Sequence, residues 1–174
     1  IAMLPVQQMA AQCGITAESG SAALPLVQAA AEQAGLEMCW NGNTKTAYFM
    51  DKDRILYESG SLRAGVLLPE GCEKDSFHIW ESRNDVTAML HFYDPSGEML
   101  VFSLARCDLQ YWENEVRENF AVPYSEIYRD NNTVWLCVNA SDVQYDPANA
   151  EQKAEFEALL AYKEEICAGF YSFA

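Results

Sequence analysis

Apolar and polar positions alternate most clearly between Val86 and Ala105. Val-Thr-Ala-Met-Leu-His-Phe-Tyr leads into Asp-Pro-Ser-Gly, and Glu-Met-Leu-Val-Phe-Ser-Leu-Ala follows. Proline presets φ at about −65° for the second turn position, and glycine accepts a positive φ where the chain reverses. The pattern predicts a β-hairpin. Side chains alternate along a strand, so Val86, Ala88, Leu90 and Phe92 share one face, and Leu100, Phe102 and Leu104 form the matching row on the return. The other face carries Thr87, Met89, His91 and Tyr93 and is only partly polar. A strand apolar on both faces sits in the middle of a sheet covered on both sides. The hairpin is therefore expected at the centre of an antiparallel sheet.

The rest of the chain divides around it. Residues 4–13 read as a short helix, with Pro5 at its first position and Gly14 just past its end. Leu24 to Leu36 echoes that segment with one residue inserted and predicts a second alanine-rich helix. After Gly35 the period becomes two. Strands are expected at Leu36–Trp40, Thr44–Met50 and Arg54–Glu58, with turns at Asn41-Gly42-Asn43 and Asp51-Lys52-Asp53. Ser59-Gly60-Ser61 is the best boundary, which gives parts 1–60 and 61–174 that can pack as one domain. Beyond it, Leu62–Leu68 and Phe77–Trp80 read as strands. Tyr111, Trp112, Val116 and Phe120 fall near helical spacing. Tyr124–Tyr128 and Val134–Val138 read as strands about the turn Asp130-Asn131-Asn132, and Val143–Tyr145 as a further short one. A long final helix is expected, capped by Asp146 and opened by Pro147. Its stripe is Phe156, Leu159, Leu160, Lys163, Ile166, Cys167, Phe170 and Phe173. The fold class expected is α+β, an antiparallel sheet covered by N-terminal helices and a long C-terminal helix.

Composition narrows the partners. The chain has 174 residues, half of them hydrophobic, and a formal net charge of −15. Such a field repels phosphate backbones and anionic membrane surfaces, so no nucleic-acid partner is expected. No apolar run approaches the roughly 20 residues that span a bilayer. The chain opens at Ile1 with no signal-like segment, which fits a product whose targeting segment has been removed. Six cysteines (Cys13, Cys39, Cys72, Cys107, Cys137 and Cys167) have even parity and no CxxC pair. That spacing argues against a zinc ribbon or a thioredoxin-type motif.

Candidate chemistry is sparse. His78 and His91 are the two histidines, both on predicted strands. A catalytic reading needs His91 beside a cysteine or a carboxylate, as in a small hydrolase or thiol enzyme. The acidic turns at 51–53 and 130–132 lack the Gly and distal Glu of a calcium loop, and Glu113, Glu115 and Glu118 read as a solvated face. No phosphate-cradling glycine loop, GxSxG or HExxH occurs. Neither a metal nor a cofactor is expected, and no catalytic residue is assigned. Aromatic residues are the suggestive excess: Trp40, Trp80, Trp112 and Trp135 stand with nine tyrosines. These can furnish a stacking surface for a sugar or peptide. Tyr111-Trp112 lies in a mixed polar stretch and is expected to be exposed. Tyr111, Trp112 and His91 are the candidate ligand-binding residues.

Two family resemblances add to this reading. Leu24-Pro25-Leu26, then Ala30-Ala31-Glu32-Gln33-Ala34-Gly35-Leu36, then Trp40-Asn41-Gly42-Asn43-Thr44-Lys45-Thr46-Ala47, resembles the copper amine oxidase N-terminal-like module of secreted and wall-associated proteins of Gram-positive bacteria. It spans about residues 24–60 and implies a non-catalytic surface module without copper. From Leu62 onward, Leu68-Pro69-Glu70-Gly71, the Phe92 strand, Leu100-Val101-Phe102-Ser103, Asp142-Val143-Gln144-Tyr145 and a last helix closing on Ser172-Phe173 look like uncharacterised exported proteins of Firmicutes. Their order is similar to PsbP/Mog1-like domains, which implies an antiparallel sheet with helices on its faces and a binding or assembly role. The expectation is an exported, extracytoplasmic, non-enzymatic binding module with an envelope carbohydrate, peptide or protein as partner. A structural subunit of a surface assembly is the remaining alternative.

Overall fold

A computed structural model describes residues 2–5, 20–41, 46–51 and 54–172. The chain divides into two compact units between Arg54 and Ile55.

The N-terminal unit contains β1 (Ala2–Pro5), α1 (Gly20–Gln33), β2 (Leu36–Asn41) and β3 (Thr46–Asp51) in an antiparallel sheet of order β1-β3-β2. Ala23, Val27 and Ala31 recur every four residues, so one stripe of α1 buries against Ala47 and Phe49. Gly35 takes φ 77° just past the helix, the left-handed turn that glycine supplies at no steric cost. Two sequence expectations change here. Leu4 and Pro5 are extended and pair with Ala47 and Thr46, rather than opening a helix. Proline disfavours the helical region for the residue before it, and an edge strand tolerates its missing N–H. The rest of that expected helix lies outside the described residues. Pro25 stands inside α1 rather than at its start.

The C-terminal unit begins with β4 (Leu56–Ser59) and β5 (Ala64–Leu67), which with β11 (Phe170–Ser172) form an antiparallel sheet of order β11-β5-β4. The strand expected to close the N-terminal meander thus pairs with β5 instead. Ser59-Gly60-Ser61 forms the start of their connecting turn, inside this unit. A second antiparallel sheet contains β6 (His78–Arg83), β7 (Thr87–Tyr93), β8 (Leu100–Asp108), β9 (Tyr124–Arg129) and β10 (Thr133–Asn139), in the order β6-β7-β8-β10-β9. The 86–105 hairpin is therefore its centre, as the alternation predicts. Asp94 is buried in the turn, where its carboxylate accepts from the backbone N–H of Ser96, Glu98 and Met99. Gly97 takes φ 81°.

Leu90 lies opposite Leu104 and Phe92 opposite Phe102, with the two phenyl rings stacked at 4.5 Å. A bulge between Phe92 and Tyr93 shifts the expected row. It places Val101 in the core, while Leu100 is only half-buried. This face joins Val66, Trp135 and Cys137 in one core with α3 (Ala150–Ala161) and α4 (Lys163–Ala168). The long final helix expected from the sequence is broken at Tyr162, and Asn149 rather than Asp146 caps its start. Leu159 and Ile166 are buried as the stripe requires, Phe170 belongs to β11, and Phe173 lies outside the described residues. No strand forms at residues 143–145.

The opposite face of the sheet is covered over β8 and β10 by α2 (Leu109–Tyr111) and the turns that continue it, a π turn over Trp112–Val116 and a 3₁₀ turn over Arg117–Asn119. Trp112, with Val116 and Phe120, packs there against Ala105, Cys107, Val134 and Leu136. No helix among the described residues is long and apolar enough to cross a membrane.

Candidate functional site

The cluster under that cover takes in Met89 of β7 but leaves Trp80 on β6 exposed. On these strands the pleat sends Ser82, Trp80 and His78 to the same side as Met89, His91 and Tyr93. Trp80 sits directly opposite His91, and the rings stack at 5.1 Å with an interplanar angle of 22°. One indole face thus rests on the imidazole. Trp80 nevertheless remains 53% exposed, among the most exposed large hydrophobic side chains described. Tyr93 lies 6.4 Å from His91 between ring centres and extends the shelf along β7.

His91 is fixed from both sides. Its Nε2 is 2.9 Å from Ser82 Oγ on β6, and its Nδ1 is 2.9 Å from Ser103 Oγ on β8. Three neighbouring strands therefore hold one imidazole in plane beneath Trp80. Burial pushes the His91 pKa below its usual 6.5, so the ring is neutral at pH 7. Both partners are hydroxyls. The cysteine or carboxylate that an acid–base or thiol mechanism would place against His91 is not what the sheet puts there. The arrangement offers an exposed indole face with the Ser82 hydroxyl and Tyr93 at its margin, suited to stacking against a ring.

The other expected site residues lie elsewhere. Trp112 is buried at 2% exposure, correcting the expectation that it is exposed. Phe120 and Tyr124 meet its ring edge-on at 5.4 Å and 5.1 Å. The signal was the four-residue spacing of Trp112, Val116 and Phe120, which outweighs the polar residues between them. Tyr111 is partly exposed, beside a shallow depression with Asp108 and Glu115. It belongs to a different part of the surface from the His91 row. Glu113 does not sit free in an acidic cluster but pairs with Arg117 at 2.6 Å and Arg129 at 3.0 Å. Asp130 serves its turn by accepting from the N–H groups of Asn132 and Thr133 at 2.8 Å each. Among the described residues, no group of three or more metal-ligating side chains converges.

The described cysteines are free thiols: Cys72, Cys107, Cys137 and Cys167. Cys137 on β10 and Cys167 on α4 are hydrogen-bonded to one another.

Compared with family models, curated proteins and solved structures, the chain matches none.

Proposed function

We propose that this protein is a non-enzymatic binding module that works outside the cytoplasm and takes a neutral carbohydrate ring on the Trp80 face. The observation that carries this reading is the stack of an exposed Trp80 on an immobilised, neutral His91. A rigid aromatic side chain loses little conformational freedom when a ligand arrives, so its exposed area converts into affinity efficiently. Tyr93 and the Ser82 hydroxyl give the platform an amphipathic margin. A neutral ligand suits it better than an anionic polymer, because the net charge of −15 opposes polyanions at long range.

The envelope setting rests on the resemblance of residues 24–60 to a surface module and of the remaining chain to exported PsbP/Mog1-like proteins. Co-sedimentation with purified bacterial cell wall, and calorimetric titration with soluble chito-oligosaccharides, test the reading. Retention of the wild type and its loss in Trp80→Ala support it. Equal retention of the two proteins, or no binding by either, defeats it.

A further inference from the structure

A concavity on the opposite face of the large sheet from Trp80 gathers positive charge in an acidic protein. It encloses about 430 Å³ and is lined by Arg63, Arg83 and Arg106, with Asn84, Asp85 and Ala88. Three of the chain's 11 lysines and arginines thus meet in one place, although the chain as a whole carries −15. The fold brings them there from three separate segments. Arg63 lies in the β4–β5 turn, Arg83 at the end of β6, and Arg106 in β8 directly opposite Ala88 on β7. Like charges are not collected this way for stability, since each arginine raises the cost of the others.

The Asp85 carboxylate offsets these charges only in part. Among the described residues, the ion pairs engage Arg117, Arg129, Lys153 and Lys163, and none engages the three pocket arginines. The Nε of Arg106 is buried with no hydrogen-bond partner. A buried donor left without an acceptor costs free energy, and such an orphan calls for an explanation. Burial, and then the charge of Arg63, depress the Arg106 pKa, which is the mark of a guanidinium short of a counter-charge. Arg63 is held at φ 50°, the one non-glycine residue described in the left-handed region. Such backbone outliers concentrate at ligand sites. Asn84 Oδ1 is already taken by the N–H groups of Val86 and Thr87 and by the Thr87 hydroxyl. Only its amide N–H₂ is left to face a ligand.

We propose that this pocket binds a dianionic oxyanion, free phosphate or the phosphoryl group of a small phosphate monoester. Guanidinium forks match the paired oxygens of such groups, and an ammonium does not. Three guanidinium charges against the Asp85 carboxylate leave an excess of two, which a dianion balances and a monocarboxylate does not. The polar lining and the confined volume select a small head group rather than a polyanionic chain. The site is separate from the Trp80 face and does not depend on it.

Calorimetric titration of the whole protein with inorganic phosphate, sulfate, glycerol 3-phosphate and chloride, at matched ionic strength near pH 7.5, tests this. Phosphate is expected to bind saturably and to raise Tm by mass action, and chloride to do neither. Arg106→Gln is expected to weaken phosphate binding about tenfold or more, and Arg106→Lys to restore it only in part. Arg83→Gln, at an exposed side chain that the fold does not need, provides the second variant if Arg106→Gln fails to fold. Tighter binding of glycerol 3-phosphate than of inorganic phosphate identifies a phosphate ester as the ligand, and the reverse order identifies the free anion. Absence of saturable phosphate binding overturns the proposal, as does undiminished binding in the folded arginine variants. Chito-oligosaccharide binding through Trp80 is expected to be unchanged in all of them, so each site stands or falls alone.

Discussion

Trp135 donates its indole Nε1–H to the Leu62 carbonyl at 2.8 Å, across 73 residues of sequence and within the core. The bond ties β10 of the large sheet to the β4–β5 turn. A backbone carbonyl in that position has no water to turn to. Trp135→Phe keeps an aromatic ring but removes the donor, and is expected to cost about 1–3 kcal/mol. Urea titration should show a lower midpoint with an unchanged slope. A loss within a few tenths of a kcal/mol would show that the tie carries no stability.

Gly65 accommodates the Tyr171 ring directly. A Cβ at residue 65 would lie within 2.6 Å of Tyr171 Cε1. The ring cannot easily withdraw, because Tyr171 is buried at 2% exposure and its hydroxyl donates to Glu58 at 2.5 Å. Gly65→Ala is therefore expected to destabilise the unit by about 1–3 kcal/mol through overpacking. In a Tyr171→Leu background the added penalty should shrink, because the obstructing ring is gone. Equal penalties in the two backgrounds, measured as a double-mutant cycle, would show that the Tyr171 ring is not what the added methyl meets.

His91 makes stability depend on pH in a definite direction. Its folded-state pKa is depressed by burial below the unfolded value of about 6.5. The unfolded chain therefore binds the proton more readily. His91 contributes stability that is present above pH 6.5 and is lost as pH falls through the folded pKa. The urea midpoint of the wild type should decline between about pH 7 and 5, and His91→Gln should flatten that decline. A His91→Gln midpoint that declines as steeply as the wild type's over the same range would contradict the assigned environment.

Much of this fold is legible from hydrophobic period alone, and the proposed ligand surface is not. The 86–105 hairpin could be read because alternation and an Asp-Pro-Ser-Gly turn agree on it. The break at Tyr162 could not, since neither glycine nor proline marks it and the apolar stripe runs on through Ile166 and Cys167. Trp80 and His91 are 11 residues apart in sequence and meet only through the β6–β7 register. Arg63, Arg83 and Arg106 meet only through the fold. Trp112 shows the converse error. Glutamates and asparagine surround it in sequence, while its own spacing to Val116 and Phe120 sends it inward.

The Cys137–Cys167 contact sets an order of thiol reactivity. The hydrogen bond from Cys137 lowers the pKa of Cys167, and the same bond, with burial, raises that of Cys137. Burial, with the nearby Asp108 carboxylate, pushes Cys107 up to about 11. Among the four described cysteines, Cys167 should alkylate first with iodoacetamide at pH 8. With diamide, Cys137 and Cys167 should lose their two hydrogens to the oxidant and form one disulfide, seen by peptide mapping. Faster modification of Cys107 than of Cys167 would refute this order.

The central claim is that Trp80 on its His91 support is a ligand face. It is tested most directly by following the tryptophan indole N–H resonances in ¹⁵N–¹H spectra during titration with a soluble chito-oligosaccharide. The Trp80 signal is expected to move saturably, while those of the buried Trp112 and Trp135 stay in place. A Trp80 signal that does not respond at millimolar sugar, or a response confined to the buried indoles, would contradict the account.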